Sequence, residues 1–135
     1  MPESRFLEID QSFAKKLTDN FGSPIYVIDM VGLTKRFNHF QILAKNFYSK
    51  SIVAISYKTN PLQAILQQLH RQGAYAEVVS GEEYAIARQL GVPGNQIIFN
   101  GPMKSNIELQ LAIVNDSIIH CDHFDEIARL AAIAN

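Results

Sequence analysis

Residues 52–61 read IVAISYKTNP and join an apolar run to a lysine. Five of the first six residues are apolar, which is typical of a strand buried on both faces of a parallel sheet. Lys58 follows at the point where this strand is expected to end. A lysine at the edge of a core is commonly solvated, or covers apolar surface with its stem. Its position alone therefore does not define a role.

Three later segments repeat this strand pattern at intervals of about 21 residues. The four segments are 53–57 (VAISY), 76–80 (AEVVS), 97–101 (IIFNG) and 117–121 (SIIHC). A helical pattern follows each of them. The clearest apolar stripes are Leu62, Ile65, Leu66 and Leu69 after the first strand, and Phe124, Ile127, Ala128 and Ala131 after the fourth. We therefore predict an α/β chain of four strand–helix units, in which these helices lay one face on the sheet.

Serine and glutamate residues mark the start of two of the predicted helices. Ser80 with Glu83, and Ser105 with Glu108, have the spacing of capping boxes. In such a box the serine accepts one unpaired helix N–H and the glutamate reaches back to another. Ser80 therefore lies between the end of a strand and the start of a helix.

Two other joints carry capping signals. Asn60 before Pro61 predicts an N-cap with proline at the first helical position, and Asp122 is predicted to cap the fourth helix. With Lys58 and residues 100–104, these positions follow the ends of strands. In a parallel sheet they lie at the C-terminal edge, where barrels and open sheets bind ligands.

A lead-in over residues 1–22 precedes the repeats. Phe13, Leu17 and Phe21 lie at four-residue steps, and Gly22 is the expected stop of a short helix.

Residues 23–29 (SPIYVID) are then predicted to form a strand, and a longer helix follows it. The apolar stripe predicted for that helix consists of Leu33, Phe37, Phe40, Ala44 and Phe47.

The composition excludes several classes of function. The chain has 135 residues, a net charge of -1 and a pI near 6.4, so it offers no excess of cations to a nucleic-acid backbone. No apolar run approaches the roughly 18 residues that a membrane span needs, so no membrane partner is expected. The single cysteine, Cys121, cannot form an internal disulfide, which favours a reducing compartment and predicts a cytoplasmic protein.

The histidines do not predict a metal site. His120 and His123 flank residues 121–122, but neighbouring residues on a strand alternate faces and do not converge on one ion. His39 and His70 are predicted to be surface residues without partners. No metal is therefore expected.

Three segments, taken in order, carry a family resemblance. They are 21–29 (FGSPIYVID), 55–61 (ISYKTNP) and 73–105, which includes VVSGEE and FNGPMKS. This order resembles the N-terminal half of the fold-type III pyridoxal-phosphate enzymes, and it is most similar to the diaminopimelate and ornithine decarboxylase group. The resemblance implies a partial (βα)8 TIM barrel of the alanine racemase/decarboxylase type, with about four βα units present. Residues 23–135 would be the N-terminal half of its cofactor-binding domain.

The resemblance gives Lys58 a role. Lys58 matches the family's lysine that binds pyridoxal 5'-phosphate covalently. The amine must be unprotonated to attack an aldehyde, and partial burial favours the unprotonated form, so a partly buried Lys58 is expected. Residues 59–61 favour the decarboxylases over alanine racemase.

Other site residues carry over less directly. Glu77 replaces the family's usual aspartate in a segment near the lysine and cofactor, so it is a candidate cofactor-binding residue whose carboxylate can pair with Lys58, either catalytically or as a structural ion pair. Asn60, Ser80 and Asn100 are candidate polar groups of the cofactor pocket, with helix caps and turn residues as the alternative. Lys104 is expected to be an ordinary loop lysine.

The implied activity is the decarboxylation of an amino acid by an enzyme that requires pyridoxal phosphate. Family members are several times longer, so the expectation is an N-terminal fragment that is inactive alone. The alternatives are a non-catalytic pyridoxal-phosphate carrier and a fragment that only associates with other chains. A half barrel leaves two strand edges unpaired, which predicts a homodimer or an aggregate instead of a stable monomer. The expected partner is a small amino-acid substrate.

Overall fold

A computed structural model describes residues 9–134 of the chain. The prediction for residues 1–8 of the lead-in lies outside this range. The helices are α1 (Gln11–Phe21), α2 (Met30–Phe47), α3 (Gln63–Arg71), α4 (Gly81–Gln89), α5 (Asn106–Val114) and α6 (Phe124–Ala134). The strands are β1 (Ala54–Ser56), β2 (Tyr75–Val78), β3 (Ile97–Phe99) and β4 (Ile118–Ile119), and two 3-10 turns span Tyr57–Thr59 and Gly94–Gln96.

The four strands form one parallel sheet in the order β1-β2-β3-β4. A helix follows every strand, so the four predicted strand–helix units are confirmed. The strands are shorter than the sequence segments because the backbone leaves the hydrogen-bonded ladder early. After β1, for example, the chain enters the 3-10 turn at Tyr57. Parallel strands joined in chain order by helices place all four carboxyl ends at one edge.

The core lies between one face of the sheet and helices α3, α4 and α5. Its buried members are Tyr57, Leu66, Ala76, Val78, Tyr84, Ala87, Val92, Ile97, Phe99 and Ala112. Ile65 and Leu69 are also buried, so three residues of the stripe predicted for α3 face the core as expected. Leu62 is exposed because α3 begins only at Gln63.

The strand predicted for residues 23–29 is absent from the structure. Helix α1 ends at Phe21, and its C-cap is Gly22, which has a positive φ of 83°. The predicted stop is therefore confirmed. The following residues contain no strand, and Tyr26 is fully exposed. The sequence has a strand-like composition there, but a strand needs a neighbour to accept its hydrogen bonds. In the part of the chain that the structure describes, none of the four strands pairs with this segment.

Helix α2 buries only the first half of its predicted stripe. Phe37 is buried and Leu33 packs beside it, whereas Phe40 and Phe47 are exposed. The helix has 18 residues and packs along α3, which has only nine. A short helix covers one part of a long one, so the rest of the stripe stays in solvent.

The prediction that the apolar stripe of α6 faces the sheet is wrong. Phe124 is 92% exposed, and Ile127, Ala128 and Ala131 are exposed as well. The buried residue of this helix is Glu126. Helix α6 packs against α5 instead of a sheet face, because β4 is the last strand within residues 9–134.

The capping predictions have mixed outcomes. The box of Ser105 and Glu108 is present in full. Ser80 accepts from the Glu83 N–H at 3.2 Å, but the Glu83 carboxylate accepts from Val79 N at 2.8 Å, one residue beyond the expected N–H. This box is therefore only half formed.

The two other predicted caps are not found. Leu62 occupies the N-cap position of α3, so the prediction of Asn60 as its cap, with Pro61 at the first helical position, is wrong. The Asn60 side chain accepts from Leu62 N at 3.2 Å and closes a turn before the helix. The Asp122 carboxylate contacts the His123 ring at 3.3 Å instead of capping α6.

Candidate functional site

The face of the sheet opposite the helices carries the candidate site. Ser56, Glu77 and Ile98 are register partners on β1, β2 and β3, and Ile118 continues the row on β4. Neighbouring residues of parallel strands point to the same side of the sheet, and the residues between them point to the helices. The helix-side residues form the core, so this row lines the open face.

Lys58 lies in the 3-10 turn that follows β1, at the C-terminal edge of the sheet. Its side chain makes no hydrogen bond or ion pair within residues 9–134 and is exposed. The expectation of partial burial is therefore wrong for the described chain, because none of its elements covers the sheet edge beside β1. The amine is positioned at the edge and is not committed to another group.

Glu77 forms no ion pair with Lys58 within residues 9–134, so the pairing considered from the sequence is not found there. The Asn100 side-chain amide donates to Glu77 Oε1 at 3.1 Å. Asn100 follows β3, and its backbone N–H continues the ladder by donating to Val78 O at 2.8 Å. The site thus contains a fixed carboxylate and amide beside the lysine turn.

Asn60 and Ser80 make the turn and cap contacts described above. Each keeps hydrogen-bonding capacity for a ligand. The contact of Ser80 uses a lone pair of its oxygen, and the contact of Asn60 uses only its carbonyl oxygen. The Ser80 hydroxyl hydrogen and the Asn60 amide hydrogens remain available as donors.

Ser56 is a site residue that the sequence reasoning missed. Its hydroxyl is buried and has no hydrogen-bond partner in the described part of the chain. It stands on the same face as Glu77 and two residues before Lys58. A serine within an otherwise apolar strand was the available signal. A buried hydroxyl without a partner is uncommon and fits a position that a ligand completes.

Lys104 is not an ordinary loop lysine. Its side chain is fully buried, and Nζ lies 3.2 Å from Glu126 Oε1. The same amine donates to Gly101 O and lies 5.9 Å from the Phe99 ring centre. Arg129 donates to the Lys104 carbonyl at 2.7 Å. Lys104 is therefore held in an ion pair, in contrast to Lys58.

His70 is partnered, contrary to the prediction. Its Nε2 lies 2.8 Å from the Tyr57 hydroxyl, and its Nδ1 lies 2.8 Å from Ala74 O. Tyr57 immediately precedes Lys58 and is 1% exposed.

The remaining histidines form no metal site within residues 9–134. No group of three or more His, Cys, Asp and Glu side chains there is arranged to hold an ion. His39 and His120 are exposed. In the same range, no helix is both long enough and apolar enough to cross a membrane.

These features define a class of protein: a parallel α/β unit with a positioned lysine at the carboxyl edge of its first strand. Residues 34–135 match the family described as pyridoxal-dependent decarboxylase, pyridoxal binding domain. The chain belongs to this family. The resemblance inferred from the lysine turn and the segment 73–105 is thereby confirmed.

Curated relatives point to one branch of the family. The diaminopimelate decarboxylase of Methanocaldococcus jannaschii is 33% identical over 135 residues, which cover 97% of this chain and 30% of the relative. The diaminopimelate decarboxylase of Bacillus subtilis is 34% identical over 125 residues, which cover 92% of this chain and 28% of the relative. The chain thus spans about 30% of the length of the curated relatives that it matches.

Solved structures confirm the fold. The crystal structure of the M. jannaschii diaminopimelate decarboxylase in co-complex with L-lysine superposes with a TM-score of 0.81 at 31% identity, covering 90% of this chain and 29% of that one. A lysine decarboxylase in complex with pyridoxal phosphate and cadaverine has a TM-score of 0.76 at 24% identity, covering 94% and 32%. This second likeness supports the fold alone. The described sheet therefore corresponds to part of the TIM barrel found in these decarboxylases.

Proposed function

We propose that this chain forms the cofactor-binding barrel portion of a pyridoxal-phosphate-dependent amino-acid decarboxylase, with Lys58 as the residue that binds the cofactor covalently. The observation that carries the proposal is the contrast between two lysines. Among the residues that the structure describes, the Lys58 amine at the sheet edge has no partner, whereas the Lys104 amine is buried in an ion pair.

The residues at this edge fit the cofactor. Lys58 supplies an amine for the aldehyde, and the Ser56 hydroxyl supplies a buried polar group that lacks a partner. Asn60 and Ser80 retain free donors. When bound, pyridoxal phosphate supplies an electron-withdrawing ring that takes up the electron pair left as an amino acid loses carbon dioxide.

The chain's own residues then have separate tasks. Lys58 would hold the cofactor covalently through its amine and would give up this bond to the amino group of the substrate. Asn100 fixes the Glu77 carboxylate at 3.1 Å, so this negative charge stays at one position on the open face. The register partner of Glu77, Ser56, lies two residues before Lys58, so this carboxylate stands close to the lysine turn.

For the substrate we propose an amino acid of the diaminopimelate or ornithine type. The support comes from the relatives, which are named diaminopimelate decarboxylases. We also propose a cytoplasmic location, on the evidence of the single cysteine. A homodimer is proposed because β1 and β4 are the edges of the described sheet and carry unpaired backbone groups.

Lys58 is expected to be the preferred site of covalent labelling. Pyridoxal phosphate is added to the chain, the adduct is reduced with borohydride, and the labelled lysines are identified by peptide mapping. Lys58 is expected to carry more label than the other exposed lysines because the Ser56 hydroxyl and the donors of Asn60 and Ser80 lie around its turn, and none is expected on the buried Lys104. Lys58→Arg should remove this label, whereas the control Lys35→Arg on exposed α2 should not. Label spread evenly over Lys15, Lys35 and Lys104 would contradict the assignment.

An activity assay on the same labelled chain distinguishes the two candidate functions, an amino-acid decarboxylase and a non-catalytic pyridoxal-phosphate carrier. Both hold the cofactor through Lys58, but only a decarboxylase releases carbon dioxide from diaminopimelate, ornithine, lysine or arginine. The 135-residue chain spans about 30% of its relatives, so we expect labelling without turnover from these residues alone. Carbon dioxide release at an enzyme-like rate of about 1 per second or above would show that they suffice for catalysis.

A further inference from the structure

Tyr57 and Lys58 are consecutive residues of one 3-10 turn, but their side chains have opposite surroundings. Tyr57 is 1% exposed and packs in the core with Leu66 and Val78. Lys58 is exposed at the sheet edge. The turn is closed by the Thr59 hydroxyl, which donates to Ser56 O at 2.8 Å. Any shift of the Tyr57 backbone therefore moves the residue that carries the reactive amine.

The hydrogen bonds of His70 fix the direction of its contact with Tyr57, in which the Tyr57 hydroxyl is the donor. Ala74 O is a carbonyl and only accepts, so His70 Nδ1 must carry the hydrogen of that 2.8 Å contact. In the neutral ring, Nε2 is then an acceptor, and the Tyr57 hydroxyl donates to it. The series of hydrogen bonds from Tyr57 through His70 to Ala74 is complete only with this tautomer.

We propose that Tyr57 and His70 form a positioning pair for Lys58, in which the Tyr57 hydroxyl donates to neutral His70 and the hydrogen bond reverses when His70 takes up a proton. The proposal rests on the assignment of Lys58 made above. A charged imidazole carries hydrogens on both nitrogens, so its Nε2–H donates to the Tyr57 oxygen and no longer accepts from it. The Tyr57 hydroxyl hydrogen then lacks an acceptor, because Nε2 is its only hydrogen-bond partner in the described chain. Tyr57 is expected to shift so that this hydrogen finds another acceptor, and the turn that carries Lys58 shifts with it.

The groups around the pair leave His70 as the residue that titrates. Burial, opposed by the hydrogen bond with Ala74, lowers the pKa of His70 below its ordinary 6.5. Burial and the negative charge of Glu83 raise the pKa of Tyr57, so its hydroxyl remains a donor. His70 and Arg71, both on α3, line one side of a surface groove. The segment 90–96 lines the opposite side of this groove and contains no titratable side chain.

The direction of the pH effect follows from the lowered pKa of His70. The unfolded chain takes up this proton near pH 6.5, whereas the folded chain takes it up only at lower pH. The Tyr57 hydroxyl therefore donates to neutral His70 above pH 6.5, and the stability that this arrangement contributes is lost as the pH falls through the lowered pKa.

Two measurements on the folded chain test the pair. In the first, the backbone amide signals of Lys58 and Thr59 are followed by NMR from pH 8 down to the pH at which the His70 ring signals stop changing, and they are expected to shift together with the His70 ring. In the second, the ratio of pyridoxal label on Lys58 to that on Lys35 is measured over the same range. This ratio is expected to fall about fivefold as His70 becomes charged, which corresponds to one buried hydroxyl hydrogen left without its acceptor.

Conservative variants separate positioning from stability. Tyr57→Phe keeps the ring but removes the donor, and His70→Ala removes the acceptor, so both should give a low ratio at every pH. His70→Gln restores an acceptor that does not titrate, so it should keep the high ratio at the acid pH where the unaltered chain has lost it. His39→Gln, at an exposed histidine on α2, is the matched control and should behave like the unaltered chain.

The outcomes distinguish this pair from the proposed function. Two results would overturn the positioning pair. One is that the Lys58 and Thr59 amide signals do not change as His70 titrates. The other is that the label ratio of the His70→Gln variant falls in acid as it does for the unaltered chain. If label selects Lys58 without any dependence on Tyr57 or His70, the cofactor assignment stands and the pair fails. If the amide signals follow His70 but label never selects Lys58, the pair stands and the cofactor assignment fails.

Discussion

Glu126→Gln is expected to lower the free energy of unfolding by about 3–5 kcal/mol, because it leaves the buried charge of Lys104 without its counter-ion. The two side chains are 0% and 1% exposed, so water cannot replace the lost partner. The Lys104 amine would keep the Gly101 carbonyl as a neutral acceptor. Chemical denaturation followed by circular dichroism measures the change.

The matched control lies one residue earlier on the same helix. Asp125 is 76% exposed and lies 3.9 Å from Arg129, so Asp125→Asn should cost less than about 1 kcal/mol. The double replacement Lys104→Met with Glu126→Leu removes both buried charges and should cost less than Glu126→Gln alone. The contact of Glu126 Oε1 with Lys104 is an ion pair without hydrogen-bond geometry, which limits what the pair contributes. Equal losses for Asp125→Asn and Glu126→Gln would show that burial does not govern this ion pair.

This ion pair also matters for the site. Lys104 joins the segment after β3 to α6 through Glu126, and Arg129 adds a second contact through the Lys104 carbonyl. Asn100, which holds Glu77, lies at the start of the same segment. The Glu126→Gln variant is therefore expected to loosen the edge of the sheet where Glu77 and Lys58 lie.

The parts of the fold predicted from sequence are those decided by local pattern. Strand composition and helical periodicity located all four strand–helix units, and the Ser105 box marked a helix start correctly. The errors occur where burial depends on a partner element. Residues 23–29 have a strand's composition but no strand beside them, and the Phe124 stripe of α6 has no sheet beneath it.

The candidate site shows the same division. Lys58 could be placed at the sheet edge because a strand pattern ends there and a family motif includes it. The environment of Glu77 could not be predicted from the sequence, because its contact with Asn100 joins the ends of neighbouring strands. The Tyr57–His70 contact spans 13 residues, and the Lys104–Glu126 pair joins a loop to a later helix. Neither pattern is visible along the chain, since tertiary packing alone brings these partners together.

Gly101→Ala is expected to have the second large effect, because two separate penalties act at this residue. Gly101 has a φ of 95°, which side chains rarely adopt, and this backbone strain costs about 1–2 kcal/mol. A Cβ added there would lie 2.8 Å from Val79 O and 3.2 Å from Val79 Cβ. The neighbour is the backbone that leaves β2, so it cannot turn away as a flexible side chain would. Overpacking of this kind adds about 1–3 kcal/mol.

Gly91→Ala is the control that separates the two penalties. Gly91 has a similar φ of 86°, but a Cβ there would meet nothing within 4 Å, so it carries the strain without the contact. The difference in unfolding free energy between the two variants therefore measures the contact with Val79 alone. That contact also fixes the distance between the ends of β2 and β3, where Asn100 reaches Glu77. Gly101→Ala should thus reduce the labelling of Lys58 as well as stability, whereas Gly91→Ala should affect stability only. Equal losses of stability for the two alanine variants would mean that the chain around Val79 yields freely, and the edge of the sheet would then be less rigid than its contacts indicate.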